Sequence, residues 1–305
     1  IAGKNAAQLQ ASDFGFVLGP RINAAGRMDS MQIGIECLLA PDLNSAYPYA
    51  YQLDRLNVER RQVETQMKQD ALTALAQFKL DETETPAALI LFEPHWHQGV
   101  IGIVAGRLKE QFHRPAIVFA ADDDGEHIKG SARSIEGIHI RDAIESVAEQ
   151  SPHLVSHFGG HAAAAGLTIK KQHFDEFKQQ FVQLIQTMDE ALFQATLWTD
   201  GVLPTEALNL DTVHLLQHLS PWGQKFPSPV FEGQFQVLDY RWLKELHLKL
   251  RLALDNGQVV DAIAFNAADK FSFDPMQSSV HLVYELEQNS FNGQVSLQLR
   301  VLHLQ

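Results

Sequence analysis

An α/β domain followed by an all-β, five-stranded barrel, with a long connector helix ahead of both, is the fold class that the sequence predicts. Three observations carry it. Residues 44–78 contain no glycine and only one proline, residues 87–192 alternate strand-length apolar runs with helical stretches, and residues 231–302 hold about five strand patterns broken by turn residues. At roughly 100–200 residues per domain, 305 residues suffice for two or three independent cores.

The elements follow in order. Ser12-Asp13 suits the cap of a helix through Leu18, Gly19 suits its end, and Pro20 suits the first position of the next element. Arg21-Ile22-Asn23-Ala24-Ala25-Gly26-Arg27 comes next, then an amphipathic helix from Met31 to Ala40. The long helix, residues 44–78, would extend roughly 50 Å at 1.5 Å per residue, with Pro48 placed in its first turn where a missing N–H is tolerated. Its apolar stripe of Leu53, Leu56, Val63, Met67, Leu72 and Leu75 is sparse, which fits a connector better than a core helix.

Residues 81–86 form a polar break. Strands are expected at 87–92, 115–120 and 128–134, helices at 100–112 and 140–149, and a run of small residues at 158–166 leads into a strand at 167–169 and a helix at 172–192. Short helices at 205–219 and a proline-rich turn region at 221–229 precede strands at 231–238, 243–254, 259–265, 280–286 and 295–302. Asp255-Asn256-Gly257 is a hairpin signal. Five strands in about 75 residues make a small barrel, and both an oligonucleotide-binding fold and an SH3-like barrel fit the pattern.

Composition narrows the function. Cys37 is the only cysteine, so there is no internal disulfide and no thiolate cluster, and it reads as a small buried apolar residue. No apolar run approaches the roughly 20 residues that span a bilayer, and no signal-peptide pattern opens the chain, so a cytoplasmic protein without membrane contact is expected. With 24 basic and 37 acidic residues the net charge is −13, which argues against indiscriminate polyanion binding and leaves any nucleic-acid role to local basic patches. The chain begins at Ile1 rather than Met, from which a fragment or processed product is expected.

No P-loop, HExxH, GxSxG or Cys-His arrangement is present. His95-Trp96-His97 would place two imidazoles on one face of a strand, but no third metal ligand is evident nearby. Asp122-Asp123-Asp124-Gly125-Glu126 lies between strands and reads as a hairpin turn. Gly159-Gly160-His161 is either a tight turn or a place where backbone N–H groups and an imidazole approach an anion. Ser131 and Arg133, at alternate positions, suit a terminal phosphate, and Arg21 and Arg27 flank small residues. In the barrel, His247, Lys249 and Arg251 alternate with leucines and so share one face, a local basic patch. Trp242, Phe291 and Tyr284 are candidate platforms for base stacking.

Taken together, Gly19-Pro20-Arg21-Ile22-Asn23-Ala24-Ala25-Gly26-Arg27-Met28-Asp29, the long helix, Pro94–Ile103, Lys129–Ser134, and Phe158-Gly159-Gly160-His161 with Ala164-Ala165-Gly166 resemble the RecJ family of single-strand-specific exonucleases, in order along essentially the whole chain. The resemblance implies a 5′-to-3′ exonuclease of single-stranded DNA used in recombination and repair. It also implies the domain plan: a C-terminal remnant of a DHH phosphoesterase domain at 1–43, the connector helix at 44–80, a DHH-associated α/β domain at 81–192, and an oligonucleotide-binding domain at 193–305. Arg21 or Arg27, Ser131 and Arg133 would lie near the 5′-phosphate, and Asn23 would be a further substrate-binding residue. Gly159, Gly160 and His161 would lie beside the substrate, with His161 the one carried over as catalytic, and His247, Lys249 and Arg251 would hold the strand. Single-stranded DNA is the implied partner, with a single-strand-binding protein and other recombination proteins beside it.

One departure is large. The family's nuclease uses two metal ions, usually manganese, held by motifs that include Asp-His-His, and no Asp-His-His occurs in these 305 residues. The expectation is therefore a C-terminal part that binds substrate, binds no metal itself and does not hydrolyse DNA alone, Mn2+ or Mg2+ belonging to the missing domain. Two other readings stand beside it: a phosphodiesterase of short oligonucleotides or cyclic dinucleotides, and a non-enzymatic adaptor that binds nucleic acid or protein.

Overall fold

A computed structural model describes all residues except 5, 7, 8, 10, 79–85, 220, 221, 224, 225, 272, 275 and 292. Residues 81–85 of the polar break and part of the 221–229 turn region thus lie outside the described residues. The chain divides into two compact units, Ile1–Ala195 and Thr196–Gln305.

In the first unit, α1 (Ala11–Asp13), a π-helical turn (Phe14–Leu18) and α2 (Gly19–Met28) run on from one another. Gly19 does not end a helix as expected. Its backbone is right-handed helical and its N–H donates to the Phe14 carbonyl five residues back, the π spacing, and a Cβ there would lie 2.7 Å from the Phe14 carbonyl oxygen. Next come α3 (Gln32–Leu39) and α4 (Leu43–Phe78). Asp42 caps α4, its Oδ1 accepting from the Ser45 N–H at 2.9 Å. Because α4 starts at Leu43, Pro48 falls in the second turn rather than the first, and one helical hydrogen bond is forgone.

The sheet of this unit has strand order β1-β2-β3-β5-β4, made of β1 (Leu89–Phe92), β2 (Ala116–Ala121), β3 (His127–Arg133), β4 (His157–His161) and β5 (Ala164–Lys170). Only β1 and β2 are parallel, joined through α5 (Ile101–Phe112). The period of two divides the core. Leu89, Leu91, Val118 and Ala120 face α5 and the second half of α4, meeting Val104, Leu108, Met67, Ala71 and Leu75. Ile90, Ile117, Phe119, Ile128, Leu167 and Ile169 face the other way, onto Ile144 and Val147 of α6 (Ile140–Gln150) and Phe177, Phe181 and Ile185 of α7 (Phe174–Gln186). The helix expected at 172–192 is shorter, flanked by 3-10 turns at Lys171–His173 and Glu190–Phe193.

The second unit holds a 3-10 turn at Thr205–Ala207, α8 (Leu210–Leu219) and a closed barrel of β6 (Phe231–Leu243), β7 (His247–Ala253), β8 (Val259–Ala264), β9 (Ser279–Phe291) and β10 (Gln294–Leu304), with α9 (Ala267–Lys270) between β8 and β9. Four of the five pairings are antiparallel, while β8 and β10, the third and fifth strands, run parallel and close the barrel. Leu248, Leu250, Leu252, Ala262, Leu282, Tyr284 and Leu299 fill it. The strands expected at 231–238 and 243–254 meet later, at 244–246, where Lys244 and Glu245 take positive φ of 52° and 54°. The Asn256-Gly257 hairpin stands as expected, with Gly257 at φ 82° and the Leu254 N–H donating to the Gln258 carbonyl.

Candidate functional site

The first turn of α5 organises the charged residues of the first unit. Its N-cap position, Val100, offers no side-chain acceptor, so the opening N–H groups of this 12-residue helix lack a side-chain cap. Two glycines bring other segments against that turn. A Cβ at Gly102 would sit 2.8 Å from Ser131 Oγ and 2.9 Å from an Arg133 terminal nitrogen, so both side chains of β3 lie directly over it. A Cβ at Gly99 would overlap the Arg27 carbonyl, and Arg27 Nη1 donates to the Gly99 carbonyl at 3.2 Å. Arg27, Ser131, Arg133 and a helix N-terminus are thereby brought together from three separate parts of the sequence.

Arg133 donates to Ser131 Oγ at 3.1 Å and to the Ala132 carbonyl at 2.8 Å. Burial, and then the positive charge of Arg27, hold its guanidinium below the ordinary arginine value. Arg60 on α4 is lowered as well, chiefly by burial and in small part by Arg27, against the raising effect of Glu64, its partner at 2.8 Å. Among the described residues neither Arg27 nor Arg133 has an ion-pair partner. Adjacent guanidinium groups without a counter-charge, beside uncapped helix N–H groups, form an anion-binding arrangement.

Arg21 is placed differently. It sits six residues before Arg27, and at about 100° per residue this turns it roughly 120° away on α2. It pairs with Asp54 Oδ1 at 2.8 Å and donates to the Val17 carbonyl at 2.7 Å, bracing α2 against α4. Asn23 is exposed on α2.

Gly159, Gly160 and His161 form an edge strand rather than a turn, because the Ala162-Ala163 turn that follows returns the chain as β5. The register is informative. Arg133 pairs Ala164, which pairs His161; Ser131 pairs Gly166, which pairs Gly159; Lys129 pairs Thr168, which pairs His157. Paired residues share a face, so these three rungs lie on the same side of the sheet as the first turn of α5. His161 is about 10 Å across the sheet from Arg133, two strand spacings away. Gly159, Gly166, His157 and His161 are exposed, and nothing stands over Gly159. The result is a shallow tray, nearly bare of side chains, leading away from the paired arginines. Gly160 serves the hairpin itself: with φ 145°, its Cβ would overlap Ala164 and Ala165.

His95 is bonded to Asp70 Oδ2 at 3.1 Å, which also accepts from Trp96 Nε1 at 3.3 Å. No group of three or more His, Cys, Asp or Glu residues is placed to hold a metal ion among the described residues. The donors at the α5 site are cationic or N–H groups, which fit an anion and do not fit a metal ion. Asp122–Glu126 forms the expected hairpin turn. His127 holds the Asp124 carboxyl well below its usual range, at about 2, through its backbone N–H and its ring.

On the barrel, His247 and Arg251 flank Lys249 along β7, and Arg241 of β6 pairs with Lys249. Carboxylates interleave with these bases. Asp239 and Asp261 are the pairing neighbours of Arg251, and Lys249 Nζ meets Asp261 Oδ2 at 2.7 Å. His247 Nδ1 accepts from the Asn266 N–H at 2.9 Å, with its ring edge-on to exposed Phe265. Trp242 is 37% exposed and Tyr240 38%, whereas Tyr284 is 1% exposed, a core ring whose hydroxyl burial pushes up to about 12. Tyr284 is therefore no stacking platform, and the Phe291 side chain lies outside the described residues.

Arg60, Gly99 and Gly102 join the α5 group without having been expected. The signal for the turn is two glycines three residues apart that open an apolar helix after a strand. Arg60 carries no local signal, since its proximity to Arg27 arises from packing of α2 on α4.

The DHHA1 domain family matches residues 66–187 and the RecJ OB domain family matches residues 199–303. The single-stranded-DNA-specific exonucleases RecJ of Haemophilus influenzae and Dickeya dadantii are each 44% identical over all of this chain, which covers 54% and 53% of their lengths. The crystal structure of RecJ in complex with Mg2+ from Thermus thermophilus superposes with a TM-score of 0.80 at 27% identity, covering 99% of this chain and 44% of that one. The chain spans about half the length of the curated relatives it matches.

Proposed function

The chain belongs to the RecJ family, and on that premise we propose that it supplies terminal-phosphate recognition and strand binding to a 5′-to-3′ exonuclease of single-stranded DNA used in recombination and repair. The observation that carries the proposal is the convergence of Arg27, Ser131 and Arg133 on the first turn of α5, two unpaired guanidinium groups and a hydroxyl around uncapped N–H groups.

A terminal phosphate monoester offers more charge and more acceptor oxygens than an internal diester. Two arginine forks, a serine hydroxyl and helix N–H groups suit that end of a strand. From there the first nucleotides cross the Gly159–Gly166 tray, where the lack of side chains admits the backbone, and His161 stands at the rung of Arg133 to contact the substrate. The barrel binds single strand through His247, Lys249, Arg251 and exposed aromatics such as Trp242. The donor set here does not fit a metal, so no hydrolytic step is assigned to these residues. The divalent ion in the Thermus thermophilus structure belongs to that protein, and its counterpart here would need ligands other than those described. Single-strand-binding protein and other recombination proteins are the partners such a role would bring.

The test is binding of the purified chain to 5′-phosphorylated and 5′-hydroxyl single strands across a salt series. The expected outcome is weak, salt-dependent binding that favours the phosphorylated end, with no digestion when Mn2+ is added. Manganese-dependent digestion by the purified chain would refute the division of labour. Equal affinity for both ends would refute the phosphate site, and equal low-salt binding of unrelated polyanions, vanishing at about 150 mM, would favour the adaptor reading.

A further inference from the structure

His97 belongs to the sequence cluster that carries no metal, and its surroundings give it another use. Its Nδ1 accepts the Gly99 N–H at 3.0 Å. That bond uses the nitrogen facing the backbone, so the neutral ring carries its proton on Nε2, which points away from the turn as a donor. The ring is held in place as well as in tautomer. Its Cε1 lies 3.1 Å from the point that a Gly99 side chain would occupy, and the Arg27 carbonyl crowds the same point. Gly99 and Gly102 stand about one helical turn apart, and Arg133 and Ser131 lie over Gly102. His97 is exposed and forms no ion pair among the described residues.

We propose that His97 is a further specificity-determining residue of the terminal-phosphate site, its Nε2–H donating to a phosphate oxygen that a phosphodiester lacks. The inference rests on the reading of that site given above. Arg27 and Arg133 neutralise charge, and His97 counts oxygens. The turn that seats Arg27 also aims the imidazole, which explains why a side chain at Gly99 has no room.

The experiment measures, by fluorescence anisotropy, the affinities of the full 305-residue chain for one single-stranded oligonucleotide bearing a 5′-phosphate or a 5′-hydroxyl. The variants are His97→Ala, His97→Gln and Arg133→Ala, each checked by thermal melting. His97→Ala should lower the ratio of the two affinities about tenfold to a hundredfold, the range for a hydrogen bond to a charged group, and leave 5′-hydroxyl binding unchanged. His97→Gln, which keeps an outward N–H donor, should recover most of the ratio. An unchanged ratio in His97→Ala, where Arg133→Ala collapses it, overturns the role of His97 and leaves the phosphate site standing. Equal loss for both oligonucleotides also overturns it, because that marks a structural effect. No change in the ratio with Arg133→Ala overturns the site reading itself.

Discussion

The two cationic clusters of this chain are built in opposite ways. In the first unit Arg27 and Arg133 come from distant segments, are held close enough for Arg27 to depress Arg133, and form no ion pair among the described residues, so the folded chain bears their mutual repulsion. On the barrel, Lys249 and Arg251 alternate along one strand, and the neighbouring strands place Asp239 and Asp261 beside them. Self-neutralised charge is the mark of a solvated face, where ion pairs are worth little and ligands bind loosely. Uncompensated charge on a rigid frame suits an anion, which is the role proposed for the first cluster.

Six substitutions, one of them the control Gly159→Ala, probe the two regions, from the largest effect to the smallest. Gly160→Ala should unfold the tray, costing about 3 kcal/mol in chemical denaturation, because φ 145° and the overlap with Ala164 and Ala165 leave no place for a Cβ. Gly159→Ala, one residue earlier and facing open space, should stay within about 0.5 kcal/mol of the parent, so equal losses would show that the tray is not the feature that needs Gly160. Arg133→Ala should weaken binding of a phosphorylated end by about 2–3 kcal/mol in titration calorimetry without lowering the melting temperature, since a repelled charge is removed. A large drop in melting temperature would make Arg133 a structural residue.

On the barrel the signs differ. Lys249→Ala should reduce the slope of log affinity against log salt by less than about one, since Asp261 already neutralises it, and Asp261→Asn should raise single-strand affinity a few-fold by freeing Lys249. Weaker binding by Asp261→Asn would erase the distinction between the two clusters. The smallest effect is pH-dependent. Asp124 is depressed to about 2 from 3.8, so its contribution to the β2–β3 hairpin is full above the unfolded value and lost as pH falls from about 4 towards 2. Asp124→Asn should flatten the melting-temperature profile there by a small amount.

Much of the fold was legible because its signals are local. The glycine-free stretch before Phe78, the apolar runs at 87–92 and 115–120, and the Asn256-Gly257 turn each announce one element. Gly159-Gly160 was harder: a glycine pair reads as a turn, and its place in an edge strand is decided by pairing with Ala165 and Gly166, which no local pattern encodes. The bulge between Val237 and Asp239 and the late turn at 244–246 hid the true end of β6 in the same way. For the site, Arg133 and Ser131 could be named from their alternation. The choice between Arg21 and Arg27 depended on which helix face meets Asp54, and the neutralisation of Lys249 depended on a residue twelve positions away on another strand.

The long helix α4 gains significance from what is fastened to it. Its first half carries α2, and with it Arg27; its second half is embedded in the sheet core that carries Ser131 and Arg133. It is about 54 Å of continuous rod, so it acts as a strut that fixes α2 relative to the sheet, and with them the two sides of the proposed phosphate site. Arg27 acts on Arg60 at the middle of this rod, so a bend there would change the angle between the half that carries α2 and the half packed under the sheet. On the proposed reading, the stiffness of α4 therefore sets how well Arg27 and Arg133 converge on one phosphate.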